Sequence, residues 1–87
     1  MPGIKETLEQ RKAVYGDFTY HAEITQTLKR SMYGMSGWRN LSDDKRQALE
    51  VIADKIGRIL TGNPEYKDNW HDIAGYATLA EERCKSD

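Results

Sequence analysis

Apolar side chains recur at every third or fourth position along most of this chain, a spacing typical of amphipathic α-helices. Tyr20, Ile24, Leu28 and Met32 lie four residues apart and form one such stripe. A longer stripe of about five turns follows, made of Ala48, Leu49, Ile52, Ala53, Ile56, Ile59 and Leu60. No segment alternates apolar and polar residues as a half-buried strand does. The pattern therefore predicts an all-α fold.

Glycine and capping residues divide the first half of the chain into two helices. The first is predicted at about residues 4–14, where good helix formers are frequent. It ends at Gly16, which can close a helix, and Asp17 is a good cap for the second helix. That helix reaches about Tyr33, and a glycine-containing loop follows. The loop carries Trp38, which we expect to be substantially buried.

The second half of the chain predicts two longer helices joined by a short turn. Ser42 marks the beginning of the third helix, and Gly62 with Pro64 ends it. The fourth helix is predicted at about residues 66–85. A turn this short makes the two helices antiparallel. The whole chain, residues 1–87, is thus predicted to be one domain, a bundle of about four helices with an antiparallel C-terminal helical hairpin.

Three small residues in this hairpin lead to predictions about how its helices pack. Gly57 and Gly75 lie inside helices, where each costs about 1 kcal/mol relative to alanine. We therefore expect a close approach between helices at both glycines. Cys84 falls on an apolar stripe of the fourth helix and is predicted to be a small core residue. The other members of that stripe are Trp70, Ile73, Ala77 and Ala80.

Length, charge and cysteine content narrow the class of protein. A chain of 87 residues builds only a modest core, so we expect it to form a homo-oligomer. The formal net charge is −1 and no long block of like charge is present, so specific nucleic-acid binding is not favoured. The single cysteine indicates a reducing compartment, and no apolar run approaches the roughly 20 residues of a membrane helix. These features predict a soluble cytoplasmic protein without a membrane partner.

Charged residues of the third and fourth helices are predicted to face each other across the hairpin. Residues whose numbers sum to about 127 lie at similar heights in an antiparallel pair joined by this turn. This register pairs Lys55 with Asp72, and Arg58 with Asp68 or Asn69. Because buried charges are costly unless they are paired, the first interpretation is a salt-bridge ladder that fixes the register.

A second interpretation leaves carboxylates free to hold Mg²⁺, a hard cation that prefers oxygen ligands. Lys55 and Arg58 would then bind phosphate, and Tyr76 lies one turn beyond Asp72 on the same seam. The candidate ligand-binding residues are therefore Lys55, Arg58, Asp68, Asp72 and Tyr76. The candidate metal ligands are Glu50, Asp54, Asp68 and Asp72.

Four motifs are spread along most of the chain. They are Arg11-x-x-x-Tyr15-Gly16-Asp17, Lys55-Ile56-Gly57-Arg58-Ile59-Leu60, Asn63-Pro64 and Asp68-Asn69-Trp70-His71-Asp72-Ile73-Ala74-Gly75-Tyr76. Together they resemble an uncharacterised domain family of bacteriophage and prophage proteins. They are similar, more distantly, to the phage nucleotide modification associated domain group, although Gly75-Tyr76 stands where that group has Asn-Tyr. The resemblance implies a phage-encoded accessory protein tied to nucleotide or DNA metabolism, without an established activity.

The chain departs from a neighbouring family, the MazG-like all-α nucleoside triphosphate pyrophosphatases. In that family a Glu-x-x-Glu helix followed by a Glu-x-x-Asp helix binds Mg²⁺. The only Glu-x-x-Glu here runs from Glu6 to Glu9 in the first helix. No catalytic residue of that family can therefore be assigned to this sequence.

Two hypotheses about function follow from these observations. The first is a phage or prophage accessory protein, a small oligomeric binding or interaction domain that requires no cofactor and binds a protein or nucleotide partner. The alternative is a Mg²⁺-dependent nucleotide-binding or nucleoside triphosphate pyrophosphohydrolase-like protein. Either would work in the cytoplasm of the host cell.

Overall fold

Four α-helices and one short 3-10 helix make up the computed structural model, which describes residues 3–86. Residues 3–86 contain no strand, so the all-α prediction is confirmed. The 3-10 helix lies in the predicted loop, and α4 is shorter than the sequence suggests. The helices are α1 (Ile4–Tyr15), α2 (Phe18–Tyr33), the 3-10 helix (Ser36–Asn40), α3 (Asp43–Thr61) and α4 (Lys67–Glu82).

The corner between α1 and α2 has the predicted cap. The Asp17 carboxylate accepts hydrogen bonds from the backbone N–H groups of Thr19 at 2.9 Å and Tyr20 at 3.3 Å. Gly16 adopts a φ of +83°, a conformation that residues with a side chain rarely take. A Cβ atom at Gly16 would also collide with the backbone carbonyl of Thr61. This corner therefore needs glycine for both its conformation and its packing.

The α1–α2 corner is joined to the turn that follows α3. The backbone N–H of Asn63 donates to the Val14 carbonyl at 3.0 Å. The hydroxyl of Thr61 donates to the Tyr15 carbonyl at 3.1 Å. Because both contacts use backbone carbonyls at the end of α1, they fix where α2 begins relative to the end of α3.

Helix α3 lies at the centre and packs against α2 on one side and α4 on the other. Its buried residues are small, namely Ala48, Ala53 and Gly57. A Cβ atom on Gly57 would lie 2.5 Å from Cγ2 of Thr25 and 2.9 Å from Nδ1 of His21, both on α2. The close helix approach predicted at Gly57 is therefore confirmed.

The same prediction is wrong for Gly75. This residue is exposed on α4, and a Cβ atom added there would meet nothing within 4 Å. Cys84 is also exposed, so its predicted place in the core is wrong. It lies beyond Glu82, where α4 has already ended and no longer follows α3.

The face that α4 turns toward α3 differs from the predicted apolar stripe. Asn69 is only 1% exposed, whereas its neighbour Trp70 remains 55% exposed. The indole N–H of Trp70 donates to the Pro64 carbonyl at 2.8 Å, which holds the ring over the turn. The inner face consequently carries Asn69, Asp72, Ile73, Tyr76 and Ala80.

Trp38 in the 3-10 helix is half-buried. Its ring packs edge to face on Tyr33, with the ring centroids 5.0 Å apart. The guanidinium of Arg46 lies 5.9 Å from the Trp38 centroid, and its Nε donates to the Trp38 carbonyl at 3.2 Å. The loop is thus attached to the bundle, as predicted, although the indole keeps an exposed edge.

Helix α1 is the least covered element, because none of its residues is buried and it touches α3 only sparsely. The radius of gyration is 15.1 Å, larger than the roughly 12 Å expected of a compact chain of this length. This sparse packing leaves one side of α1 open beside α2.

None of the helices within residues 3–86 combines the length and the apolar character needed to cross a bilayer.

Candidate functional site

The predicted ion pair between the hairpin helices is present. Lys55 Nζ lies 2.8 Å from Asp72 Oδ2, and the Lys55 side chain is only 14% exposed. This hydrogen bond, aided by the positive charge of Lys55, lowers the pKa of the Asp72 carboxyl. The register predicted from the sequence is therefore correct at this position, and Lys55 and Asp72 hold α3 to α4.

The other residues of the predicted seam have different principal contacts. The guanidinium carbon of Arg58 lies 4.8 Å from the ring centroid of Tyr15 on α1, and the positive charge of Arg58 also contributes to the lowered pKa of Asp72. Asp68 interacts with the hydroxyl of Tyr66, whose pKa it raises by hydrogen bonding and by its negative charge. Tyr76 lines a separate cavity of about 180 Å³ between α3 and α4. Of the five candidate ligand-binding residues, this cavity includes Tyr76 alone.

The four candidate metal ligands are divided between two sides of α3. Asp54 accepts from Lys29 Nζ on α2 at 2.8 Å, and Glu50 accepts from the Tyr33 hydroxyl, also on α2. Asp68 and Asp72 belong to α4 on the opposite side. Within residues 3–86 no three His, Cys, Asp or Glu side chains lie close enough to hold a metal ion together. Mg²⁺ binding by these carboxylates stays a prediction.

A different concave region of the surface is lined by charged, aromatic and apolar side chains. A groove of about 540 Å³ lies between α1 and the beginning of α2, with the end of α3 as its floor. We call it the cationic groove, because three of its lining residues are Arg11, Lys12 and Arg58. Its one carboxylate is Asp17, which already accepts two backbone N–H groups and lies 4.0 Å from Lys12. The groove therefore has an excess of positive charge.

Two guanidinium groups converge on a single ring at the floor of the cationic groove. Arg11 reaches the ring of Tyr15 from one turn earlier in α1, and Arg58 reaches it from α3, each at 4.8 Å from the centroid. The ring of Tyr66 meets Tyr15 edge-on at 5.8 Å. In the part of the chain that the structure describes, neither guanidinium has a carboxylate within 4.0 Å. Cation–π contact holds both groups in place without neutralising them.

His21 lines the cationic groove from α2. Burial lowers the pKa of its imidazole, and the positive charge of Arg58 lowers it further. Its Nδ1 atom is buried and has no hydrogen-bond partner among residues 3–86. Burial and the charge of Arg58 both favour the neutral imidazole, so His21 adds a polar side chain to the wall of the groove.

Exposed apolar side chains complete the cationic groove. Phe18, the first residue of α2, is 80% exposed, and Leu8 on α1 is 58% exposed. Both line the groove with the three cations. Sequence reasoning did not assign a site here, although Arg11 and Tyr15 stand one helical turn apart and Phe18 directly follows a capped corner. Those local signals did not show that Arg58 would join them.

Comparison with protein-family models, with curated protein sequences and with solved structures finds no match to this chain. The resemblance to phage and prophage domains accordingly stays a prediction.

Proposed function

We propose that this chain is a non-enzymatic accessory domain of the phage or prophage type, which binds a phosphate-bearing ligand in the cationic groove. The observation that carries the proposal is the convergence of Arg11 and Arg58 on Tyr15. A guanidinium presents a planar set of N–H donors that matches two phosphate oxygens. Two such groups on one ring form a preorganised anion receptor.

Electrostatics supports the same proposal. Because both guanidinium carbons lie 4.8 Å from one centroid, they are at most about 10 Å apart, which is within one Debye length at 0.1 M salt. Lys12 adds a third positive charge nearby, and Asp17 offsets only one of the three. An anion in the groove relieves their mutual repulsion. A groove of about 540 Å³ is also in the size range of small-molecule sites.

Self-association is part of the proposal and rests on α1. A 12-residue helix is marginal in water unless tertiary contacts stabilise it, and α1 buries none of its residues. Ile4 lies outside the cationic groove and is 76% exposed. Contact with a second copy would cover this side chain, so we expect light scattering to give a mass above the 10.0 kDa of one chain. A monomer at high micromolar concentration would refute this part, and the ligand proposal would stand.

The ligand proposal is tested by thermal melting with inorganic triphosphate and with nucleoside triphosphates, each with and without Mg²⁺. A ligand at 100 times its Kd stabilises the folded state by about 2.7 kcal/mol. Arg58→Gln should weaken binding by about tenfold or more, since a hydrogen bond to a charged group contributes about 1.5–3 kcal/mol. The matched control is Arg39→Gln, which removes an exposed arginine of the 3-10 helix and should bind normally.

Three outcomes would contradict the proposal. If Arg58→Gln binds the ligand as tightly as the natural protein, the groove is not the binding site. If Arg39→Gln loses as much affinity as Arg58→Gln, binding depends only on net charge. Stabilisation that requires Mg²⁺, accompanied by nucleotide hydrolysis, would instead support the alternative pyrophosphohydrolase-like function. Circular dichroism of each variant confirms that the comparison is made between folded proteins.

A further inference from the structure

We infer that the ligand of the cationic groove is a nucleotide, whose aromatic base stacks on Phe18 while its phosphates meet Arg11 and Arg58. This inference rests on the proposed function and names the class of ligand. Two aromatic rings line the groove, the half-buried Tyr15 and the exposed Phe18. One ring is occupied by neighbouring side chains and the other is open.

Tyr15 has little free surface for a ligand ring. Two guanidinium groups approach it at 4.8 Å, and the edge of the Tyr66 ring packs on it at 5.8 Å. The Tyr15 end of the groove is thus a place for phosphate oxygens, which the guanidinium N–H groups can bind.

Phe18 supplies the open ring. It is 80% exposed, and its backbone position is fixed because Asp17 caps the helix that Phe18 begins. Leu8 offers further apolar surface within the same groove. A planar base stacked on Phe18 would cover its exposed apolar ring. Such stacking on an aromatic side chain does not depend on which base is bound. The groove therefore offers a binding surface for each part of a nucleotide, an aromatic ring for the base and guanidinium groups for the phosphates.

The test compares the Kd values of ATP and inorganic triphosphate by titration calorimetry without Mg²⁺. Both carry the triphosphate, and only ATP carries a base. We expect ATP to bind at least about fivefold more tightly, which corresponds to the lower limit of base–aromatic stacking. Phe18→Ala should remove this advantage and leave inorganic triphosphate unchanged. Arg58→Gln should weaken both ligands.

Tyr20→Ala is the matched control for Phe18→Ala. Tyr20 is also an exposed aromatic residue near the beginning of α2, at 65% exposure, and it does not line the groove. It should keep the preference for ATP. Equal affinity for both anions, or an unchanged preference in Phe18→Ala, would overturn the inference and leave phosphate binding intact. Absence of binding by either anion would overturn the proposed function as well.

Discussion

Replacing Gly57 by alanine tests the packing that positions α2 against α3. The added methyl group would lie 2.5 Å from Cγ2 of Thr25 and 2.9 Å from Nδ1 of His21, whereas ordinary contacts lie at 3.4–4 Å. Both neighbours belong to α2, and Thr25 is almost fully buried. The variant therefore forces the two helices apart or moves buried side chains.

Two opposing contributions set the size of the effect. Alanine gains up to about 1 kcal/mol over glycine within a helix. Overpacking a well-filled interior costs about 1–3 kcal/mol. We expect Gly57→Ala to lower the free energy of unfolding by about 1 kcal/mol, which corresponds to a loss of about 4–8 °C in Tm for a chain of this size.

Gly75→Ala is the matched control, because it makes the same change within the neighbouring helix where nothing lies within 4 Å. This variant should raise the free energy of unfolding by about 0.5–1 kcal/mol. Urea unfolding followed by circular dichroism measures both variants. A stabilisation by Gly57→Ala equal to that of Gly75→Ala would refute the reasoning, because it would show that α2 can move to make room for the methyl group without any loss of stability.

A double-mutant cycle identifies the atom responsible. Thr25→Ser removes Cγ2 and keeps the hydroxyl that donates to the His21 carbonyl at 3.0 Å. If the methyl collision dominates, Gly57→Ala should cost less in the Thr25→Ser background than in the natural one. The same cost in both backgrounds would assign the collision to His21 instead.

Two further predictions concern Asp72 and Asp17. The folded state lowers the pKa of Asp72, so its stabilising effect is present above the unfolded value of about 4 and is lost as pH falls through the lower folded pKa. The difference in Tm between the natural protein and Asp72→Asn should therefore shrink from pH 7 to pH 3, and a constant difference would contradict this. Asp17→Ala removes the cap of α2 and should cost about 1 kcal/mol in urea unfolding, whereas Asp17→Asn should keep most of that stability. An equal loss in both variants would show that charge, and not capping, is what Asp17 contributes.

In the charged seam predicted between α3 and α4, the register of the hairpin could be predicted from the sequence. A short turn and two helices with regular spacing are enough to place Lys55 opposite Asp72, and the structure has that pair at 2.8 Å. One turn away the rule pairs Arg58 with Asp68 or Asn69, but Arg58 contacts the ring of Tyr15, and among residues 3–86 no ion pair joins it to Asp68. The register gives the height of a residue in the hairpin. It does not state which of several neighbours a long side chain will choose.

Side-chain partners from distant parts of the chain were not predictable. Asp54 binds Lys29 and Glu50 binds Tyr33, both across the interface of α2 and α3. Glu50 and Asp54 therefore lie on the side of α3 that packs on α2, whereas Asp68 and Asp72 belong to α4. The spacing of carboxylates within each helix did not show which of them would face α2.

Local sequence patterns were enough to define the four helices, the Asp17 cap, the turns between helices and the antiparallel hairpin. These features depend on interactions between residues a few positions apart, which periodicity and capping residues record directly. Packing between helices set the rotation of α4, which buries Asn69 and exposes Trp70. It also set the position of the end of α1 against the end of α3, which brings Arg11 and Arg58 to the same ring. That position arises from backbone contacts between the α1–α2 corner and the end of α3, and no local pattern in the sequence encodes it.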